Sequence, residues 1–148
     1  MSAQQRFVLF PIGKKRFALP AEEVAELAKP DRQQVFPHTT PLMTGVLVRR
    51  GSIIPVCDVA QVLVGPTAPA RRFYLIATRG SGRGRHLLAL PVTGECELAT
   101  AEPRSQMGRL PDYVTSLLAF DDEIIEVLSL STLMADDTRK KYFVEGRA

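Results

Sequence analysis

The stretch from Gly45 to Val59 reads GVLVRRGSIIPVCDV and has the pattern of a β-hairpin that runs into a helix. Its two apolar runs, Gly45–Arg49 and Ile53–Cys57, are rich in β-branched residues and are separated by a short polar turn. Asp58 is of a type that caps helices, and apolar residues follow it at helical spacing. This stretch therefore predicts a strand, a turn, a second strand and a short helix.

Three further pairs of short apolar runs surround this hairpin. The predicted strand pairs are Arg6–Ile12 with Arg16–Leu19, Phe73–Thr78 with His86–Leu90, and Val114–Phe120 with Ile124–Leu128. Between the first two hairpins, Pro20 is suited to a first helical position and Pro30 to a stop. The apolar residues Val24, Leu27 and Ala28 lie between these prolines at helical spacing, so we predict a short helix there. A second helical segment is predicted over 130–134.

The chain repeats its own pattern at an offset of 71 residues. The matched pairs include Ala18-Leu19-Pro20 with Ala89-Leu90-Pro91, Glu26-Leu27 with Glu97-Leu98, Thr44 with Thr115, Leu47 with Leu118, Ile53-Ile54 with Ile124-Ile125, and Val56 with Val127. Several spaced matches at one offset indicate that the two halves share one topology. About five short strands per half favour two small closed barrels, because closure removes exposed strand edges.

The predicted fold class is therefore mainly β, with two pseudo-symmetric five-stranded β-barrels and short helices. We expect residues 1–148 to form a single domain with two subdomains. Subdomain 1 covers about 14–70 and is completed by strands of the other half, and subdomain 2 covers about 71–136 plus the N-terminal strand. Residues 137–148 are expected to form a C-terminal tail or helix.

The stretch Gly45–Val59 resembles the signature of the CheW family, in which a Gly-led strand, an Asn-x-Arg-Gly turn and an apolar strand end in Pro-Val-x-Asp-Leu. The opening strand Phe7–Phe10 and the segment Val24-Ala25-Glu26-Leu27 resemble that family as well. The resemblance covers roughly residues 6–134 and implies the CheW-like fold of two SH3-like barrels.

The resemblance also implies a function. CheW-like proteins are non-catalytic adaptors that couple chemoreceptors to a CheA-type histidine kinase, with no cofactor and no metal. The implied partners are the cytoplasmic tip of a methyl-accepting receptor and the kinase regulatory domain. The positions that match the family's receptor-contact region are Val24, Glu26, Gly45, Arg50 and Gly51.

Each of these positions also has an ordinary structural interpretation. Val24 suits either a contact with a receptor helix or the core. Arg50 suits either bidentate binding of a carboxylate or a solvated turn. Gly45 and Gly51 suit turn geometry or a close approach, and Glu26 suits an exposed surface.

The chain departs from the family pattern at three positions. The family's asparagine falls on Val48, Ser116 stands where glycine is frequent, and Ser129 stands where aspartate often occurs. The turn at Asp121-Asp122-Glu123 is unusually acidic. Chemotaxis and type IV pilus motility are therefore both open as the pathway.

The competing interpretation is a small nucleic-acid-binding barrel that uses the Arg-rich loop 79–85, in a chain with a sequence pI of about 9.1. The net charge is only +3, and no aromatic platform is interleaved with the basic residues, so we expect no nucleic-acid partner. An enzyme ranks third. His38 and His86 lie outside any hydrolase or zinc-protease motif, and the loop 80–84 lacks a P-loop lysine.

Composition and cysteine spacing point to a reducing compartment. Cys57 and Cys96 are far apart in sequence, have no partner at metal-ligand spacing, and lie among apolar residues. No apolar run approaches the roughly 20 residues of a membrane-spanning helix. We therefore expect a cytoplasmic protein without direct membrane insertion.

Overall fold

The computed structural model describes residues 4–28, 34, 42–65, 73–79, 86–104 and 108–134, and these residues are mainly β. The strands are β1 (Gln5–Ile12), β2 (Lys15–Pro20), β3 (Val24–Ala28), β4 (Met43–Arg49), β5 (Ser52–Cys57), β6 (Phe73–Arg79), β7 (His86–Val92), β8 (Glu97–Ala101), β9 (Val114–Phe120) and β10 (Glu123–Leu128). The helix α1 spans Ala60–Leu63, and residues 130–134 are also helical.

The strands form two five-stranded sheets with the same internal order, which confirms the predicted fold class. Barrel 1 has the order β3-β6-β7-β5-β4, and barrel 2 has the order β8-β1-β2-β10-β9. At the repeat offset, β3, β4 and β5 correspond to β8, β9 and β10, and the hairpin β6–β7 corresponds to β1–β2. Each barrel therefore contains three strands from one repeat and the hairpin of the other repeat.

A pair of backbone hydrogen bonds closes each sheet at equivalent places. In barrel 1, Gln34 exchanges hydrogen bonds of 2.8 and 3.0 Å with Val46 of β4. In barrel 2, Arg104 exchanges hydrogen bonds of 2.9 and 2.7 Å with Leu117 of β9. In each barrel the bridge lies just after one edge strand, β3 in barrel 1 and β8 in barrel 2. It joins the chain there to the strand at the opposite edge, β4 or β9, and gives backbone groups of that strand hydrogen-bond partners.

The two barrels have matching interiors. The buried cluster of barrel 1 contains Ala28, Leu47, Ile54, Val56, Ile76 and Ala89, with Tyr74 packed against it. The buried cluster of barrel 2 contains Ala99, Leu118, Ile125, Val127, Leu9 and Ala18, with Phe7 in the place of Tyr74. Each residue of one cluster has a counterpart in the other. The sequence repeat therefore reflects two barrels with the same core.

A third and larger apolar cluster lies between the barrels. Barrel 2 contributes Phe10 and Phe17, whose ring centroids are 6.2 Å apart, and barrel 1 contributes residues such as Leu75 and Leu90. The helix α1 and the helical residues 130–134 cover this cluster with Ala60 and Leu130. We call it the shared core, because its burial requires both barrels to be in place.

The helix predicted between Pro20 and Pro30 is wrong. Only Ala21–Glu23 forms a 3₁₀ turn, and Val24–Ala28 is the strand β3. The strand pairs antiparallel with β6, and Val24, Glu26 and Ala28 point more deeply inward than Leu27. Five residues fit both helical and alternating spacing, and here the pairing with β6 decides the structure.

The eight strands of the four predicted hairpins agree with the sequence predictions to within a few residues, whereas β8 (Glu97–Ala101) was not predicted as a strand. The residue at the start of α1 is Val59 and has no side-chain capping hydrogen bond, so Asp58 is not the N-cap. The predicted helical segment at 130–134 is confirmed. The Pro-rich segment around His38, the loop 80–85 and the tail 137–148 lie outside the described residues.

Candidate functional site

A groove lies where the chain crosses from barrel 2 to barrel 1. It has a volume of about 800 Å³ and is lined by Gln5, Arg6, Val8, Pro20, Ala21, Glu22, Val24 and Leu98. The strands β1 and β8 of barrel 2 form one wall, and Val24 at the start of β3 belongs to the other barrel. We call it the inter-barrel groove.

The position of Val24 in this groove follows from the crossover. β2 ends at Pro20 and the 3₁₀ turn directs the chain into barrel 1, where Val24 pairs with Ala77. The turn is anchored because the Thr78 hydroxyl donates a 3.2 Å hydrogen bond to the Glu23 carbonyl oxygen. Val24 is half-buried and packs against the shared core, so it serves the core and the groove together.

The most exposed apolar side chain of the groove is Leu98. It lies on β8, and 60% of its surface is exposed. The exposed side chains of Arg6 and Glu22 place one positive and one negative charge among the lining residues. The groove therefore combines an apolar centre with charges of both signs, an arrangement typical of protein-binding surfaces.

A second group of predicted residues gathers at the turn between β4 and β5. Arg50 and Gly51 are its two central residues, with φ values of 52° and 79°. Positive φ at both positions matches the twist of the flanking strands and brings Arg49 opposite Ser52. Glycine suits position 51 because of this positive φ. A Cβ there would meet no atom within 4 Å, but a residue with a side chain would be strained in this backbone conformation.

The side chain of Glu26, on β3 at the opposite edge of barrel 1, contacts this turn. Arg49 Nη2 donates a 2.6 Å hydrogen bond to Glu26 Oε1, and Arg50 Nη2 lies 3.8 Å from Glu26 Oε2. The Arg50 side chain is 83% exposed, so most of its donors face solvent. We call Glu26, Arg49, Arg50 and Gly51 the charged turn.

The structure thus divides the five predicted receptor-contact residues between different places. Glu26, Arg50 and Gly51 lie together in the charged turn, whereas Val24 lines the inter-barrel groove two residues before Glu26 on β3. Gly45 is buried within β4 opposite Val56, next to a register shift, and lines neither surface.

Sequence reasoning missed two residues of these surfaces. Arg49 makes the shorter contact with Glu26, although only its neighbour Arg50 matched the family pattern. Leu98 is the largest exposed apolar side chain of the groove. The repeat of Glu26-Leu27 as Glu97-Leu98 marked Leu98 in the sequence. The repeat does not show, however, which of the two leucines faces a groove.

A third surface lies along the seam between β5 and β7 in barrel 1. This groove of about 510 Å³ is lined by Met43, Ser52, Ile53, Ile54, Pro55, Cys57, His86, Leu87, Leu88 and Met134. Ile53 is 70% exposed, and Val48 directly opposite it on β4 is also exposed. We call this surface the seam groove.

The equivalent seam of barrel 2, between β10 and β2, is sealed by charge pairs. Arg16 Nη2 donates a 2.8 Å hydrogen bond to Glu123 Oε2 and Arg16 also contacts Glu97, while Lys15 Nζ lies 3.5 Å from Glu126 Oε1. The hydrogen bonds and charge of Arg16 lower the pKa of the Glu123 carboxyl group. Side chains from three strands are therefore linked by charge pairs across this seam.

The open seam of barrel 1 follows from four substitutions between the repeats. The counterparts of Lys15, Arg16, Glu123 and Glu126 at the 71-residue offset are His86, Leu87, Ser52 and Pro55. Pro55 has no N–H group for the parallel ladder, and β5 and β7 pair only at Val56 and Ala89. Leucine, serine and proline cannot form the ion pairs of barrel 2, so an apolar groove remains.

Among the described residues, no group of three or more His, Cys, Asp and Glu side chains could hold a metal ion. Burial raises the pKa of the Cys96 thiol to about 11, so that thiol is protonated at neutral pH and poorly nucleophilic. Burial, with Glu22 nearby, raises the pKa of Glu23 as well. In the part of the chain described, no helix is long and apolar enough to cross a membrane.

Comparisons with known proteins agree with this architecture. The chain is 27% identical over 139 residues to the "Probable chemotaxis protein CheW" of Rhizobium etli, covering 89% of this chain and 88% of that protein. Its fold is similar to the crystal structure of the scaffolding protein TtCheW from Thermoanaerobacter tengcongensis, with a TM-score of 0.72 and 19% identity over 88% of this chain and 87% of the other. The sequence pattern of the CheW-like domain matches residues 6–138. The chain therefore belongs to the CheW-like domain family.

Proposed function

We propose that this chain is a cytoplasmic, non-catalytic adaptor that couples chemoreceptors to a CheA-type histidine kinase in a chemosensory array. The array serves chemotaxis or type IV pilus motility. Its similarity to a chemotaxis protein of Rhizobium etli along nearly the whole chain supports the assignment. The observation that carries the proposal is the inter-barrel groove, where Val24 from barrel 1 and the exposed Leu98 of barrel 2 line one surface.

In this proposal the inter-barrel groove and the charged turn receive the cytoplasmic tip of the receptor. A receptor tip is a helical hairpin, and a helix buries an apolar stripe in a groove of this kind. Val24 and Leu98 supply apolar contacts, and the largely exposed Arg50 guanidinium binds a receptor carboxylate. Glu26 holds Arg49 and lies near Arg50, so it positions the turn.

The seam groove is the proposed docking surface for the kinase regulatory domain. Exposed Ile53 and Leu87 give it an apolar centre, with Val48 opposite Ile53 on β4, and His86 adds a polar side chain to the lining. Docking there leaves the inter-barrel groove free, because the two grooves have no lining residue in common. Residues 1–148 act in this scheme as one unit, because each barrel contains strands from both halves of the chain.

Charge reversal at the charged turn tests the receptor surface. Arg50→Glu is expected to weaken binding of a soluble receptor cytoplasmic fragment about tenfold, because it removes a cation and adds a carboxylate beside Glu26. The thermal unfolding midpoint should stay nearly unchanged, since the side chain is 83% exposed. Biolayer interferometry and circular dichroism measure the two quantities.

The matched control for that variant is Lys14→Glu, a charge reversal in the exposed turn between β1 and β2. It should bind the receptor fragment like the unmodified chain. Equal losses in both variants would mean that overall charge governs binding and would remove Arg50 from the site. Unfolding of Arg50→Glu would assign that residue a structural role.

A second pair of variants tests the kinase surface. Ile53→Asp places a carboxylate in the apolar centre of the seam groove and should weaken binding of the kinase regulatory domain by about 30-fold or more. Its counterpart at the repeat offset, Ile124→Asp, is a matched control because Ile124 is 61% exposed on the sealed barrel. Isothermal titration calorimetry should give a near-normal affinity for Ile124→Asp. The same loss in both would contradict the assignment to barrel 1.

A further inference from the structure

The Glu26 carboxylate has two arginines of the charged turn beside it, and they differ in distance and exposure. Arg49 Nη2 donates a 2.6 Å hydrogen bond to Glu26 Oε1. Arg50 Nη2 lies 3.8 Å from Glu26 Oε2, which is longer than a hydrogen bond. The Arg49 side chain is 24% exposed, whereas the Arg50 side chain is 83% exposed. Arg49 therefore holds the carboxylate, and Arg50 remains in solvent beside it.

The strand pattern explains why the two arginines differ. Arg49 is the last residue of β4 and shares a face with Leu47, which is buried in the core of barrel 1. Glu26 on β3 shares a face with Ala28, a residue of the same core. The Arg49–Glu26 pair therefore lies at the end of that core and joins the two edge strands of the sheet. Arg50 follows in the turn with positive φ, and its side chain extends away from the barrel.

In barrel 2 the equivalent glutamate also contacts an arginine, but from a different strand. Glu97 is the counterpart of Glu26 at the repeat offset, and it pairs with Arg16 of β2. The counterpart of Arg16 in barrel 1 is Leu87, which carries no charge. The cation for Glu26 comes instead from the charged turn, where two arginines lie beside the same carboxylate.

We infer that Arg49 is a positioning residue, which occupies the Glu26 carboxylate and so leaves the Arg50 guanidinium free for a carboxylate of the receptor. Without Arg49, the partly buried Glu26 loses its hydrogen bond, and Arg50 Nη2 needs to move by only about 1 Å to replace it. An Arg50 side chain held in this way offers fewer donors to a partner. The inference rests on the receptor contact proposed for Arg50 above.

Receptor binding by a set of four variants tests whether Arg49 acts through Glu26. Arg49→Met is expected to weaken binding of a soluble receptor fragment about fivefold, the upper range for a surface ion pair. In a Glu26→Gln chain the same substitution should change the affinity less than about twofold, because no carboxylate remains to capture Arg50. Arg49→Lys keeps a cation beside Glu26 and should bind nearly normally. An equal loss for Arg49→Met in both chains would show a general effect of charge and would overturn the inference.

The state of the Arg50 side chain can be measured without the receptor. In isotope-labelled protein, the heteronuclear NOE of the Arg50 Nε–H group reports its fast motion. We expect a low NOE, and hence a mobile side chain, in the unmodified chain and in Glu26→Gln. The NOE should rise in Arg49→Met and return to a low value when Arg49→Met is combined with Glu26→Gln. The control Lys14→Gln removes one positive charge from the exposed turn between β1 and β2, and should change neither the NOE nor the receptor affinity.

Two results of the NOE measurement would overturn the inference. An Arg50 NOE that stays low in Arg49→Met would show that Arg50 is free without Arg49. A lower NOE in Glu26→Gln than in the unmodified chain would show that Glu26 already holds Arg50. If Arg49→Met does not fold, the Glu26→Gln measurement decides. The expected NOE changes with normal receptor affinity in every variant would support the positioning of Arg50 by Arg49 and contradict the receptor contact proposed for Arg50.

Discussion

Phe17→Ala is expected to lower the free energy of unfolding by about 3–5 kcal/mol, the range found when a fully buried phenylalanine is truncated. Phe17 has no exposed surface and lies in the shared core beside Phe10. Its ring also lies under the Lys15 ammonium group, with 5.0 Å between Nζ and the ring centroid. Truncation leaves a cavity that two rigid barrels cannot readily close. Urea unfolding followed by circular dichroism measures the loss.

Phe120→Ala is the matched control because this phenylalanine is only half-buried, at the end of β9 in barrel 2. It should lower the free energy of unfolding clearly less than Phe17→Ala does. Both variants should unfold in one transition, since the shared core couples the barrels. Two separate transitions, or a cost below about 1 kcal/mol for Phe17→Ala, would contradict the role given to the shared core.

Leu98→Glu is expected to weaken receptor binding by about 30-fold or more, the cost of losing a central hot-spot residue. Leu98 is the exposed apolar residue of β8 in the inter-barrel groove, and a bound receptor helix would bury the new carboxylate without a partner. The unfolding midpoint should barely change, because the leucine side chain already faces solvent. Titration with a soluble receptor fragment gives the affinity.

The internal repeat supplies a control for this variant. Leu27 is the counterpart of Leu98 on β3, is 40% exposed, and does not line the inter-barrel groove. Leu27→Glu should therefore bind the receptor fragment with nearly normal affinity. If Leu98→Glu binds the receptor fragment normally, or if Leu27→Glu loses as much affinity as Leu98→Glu, the inter-barrel groove is not the receptor site. Kinase-domain binding should be retained by both variants.

Much of this fold could be predicted from local pattern. Strand alternation and the turn residues located the four hairpins, because burial of one face imposes a period of two on each strand. The repeat predicted two similar barrels, and the clusters around Leu47 and Leu118 agree. Two edge strands were the exceptions, since β3 was predicted as a helix and β8 was not predicted. Each is a five-residue strand stabilised by a distant pairing, β3 with β6 and β8 with β1, that local spacing does not encode.

The site could be predicted only in part. The turn at Arg50 and Gly51 has a sequence signature because its backbone requires positive φ. The groove at Val24 and Leu98 forms only when strands from both repeats come together. The family resemblance therefore identified Val24, but local pattern could not show that Leu98 lines the same groove. The seam groove could be recognised only by comparing the two barrels. Leu87 in barrel 1 stands at the position of Arg16, which forms the charge pairs of barrel 2.

Simultaneous binding of both partners is the most direct measurement of the adaptor proposal. An immobilised receptor cytoplasmic fragment is incubated with a kinase regulatory domain, with and without this chain, and retention of the kinase domain is measured. We predict retention only when the chain is present, and loss of retention with Leu98→Glu or Ile53→Asp. Competition between the receptor fragment and the kinase domain for this chain would contradict the proposal, because it would place both partners on one surface.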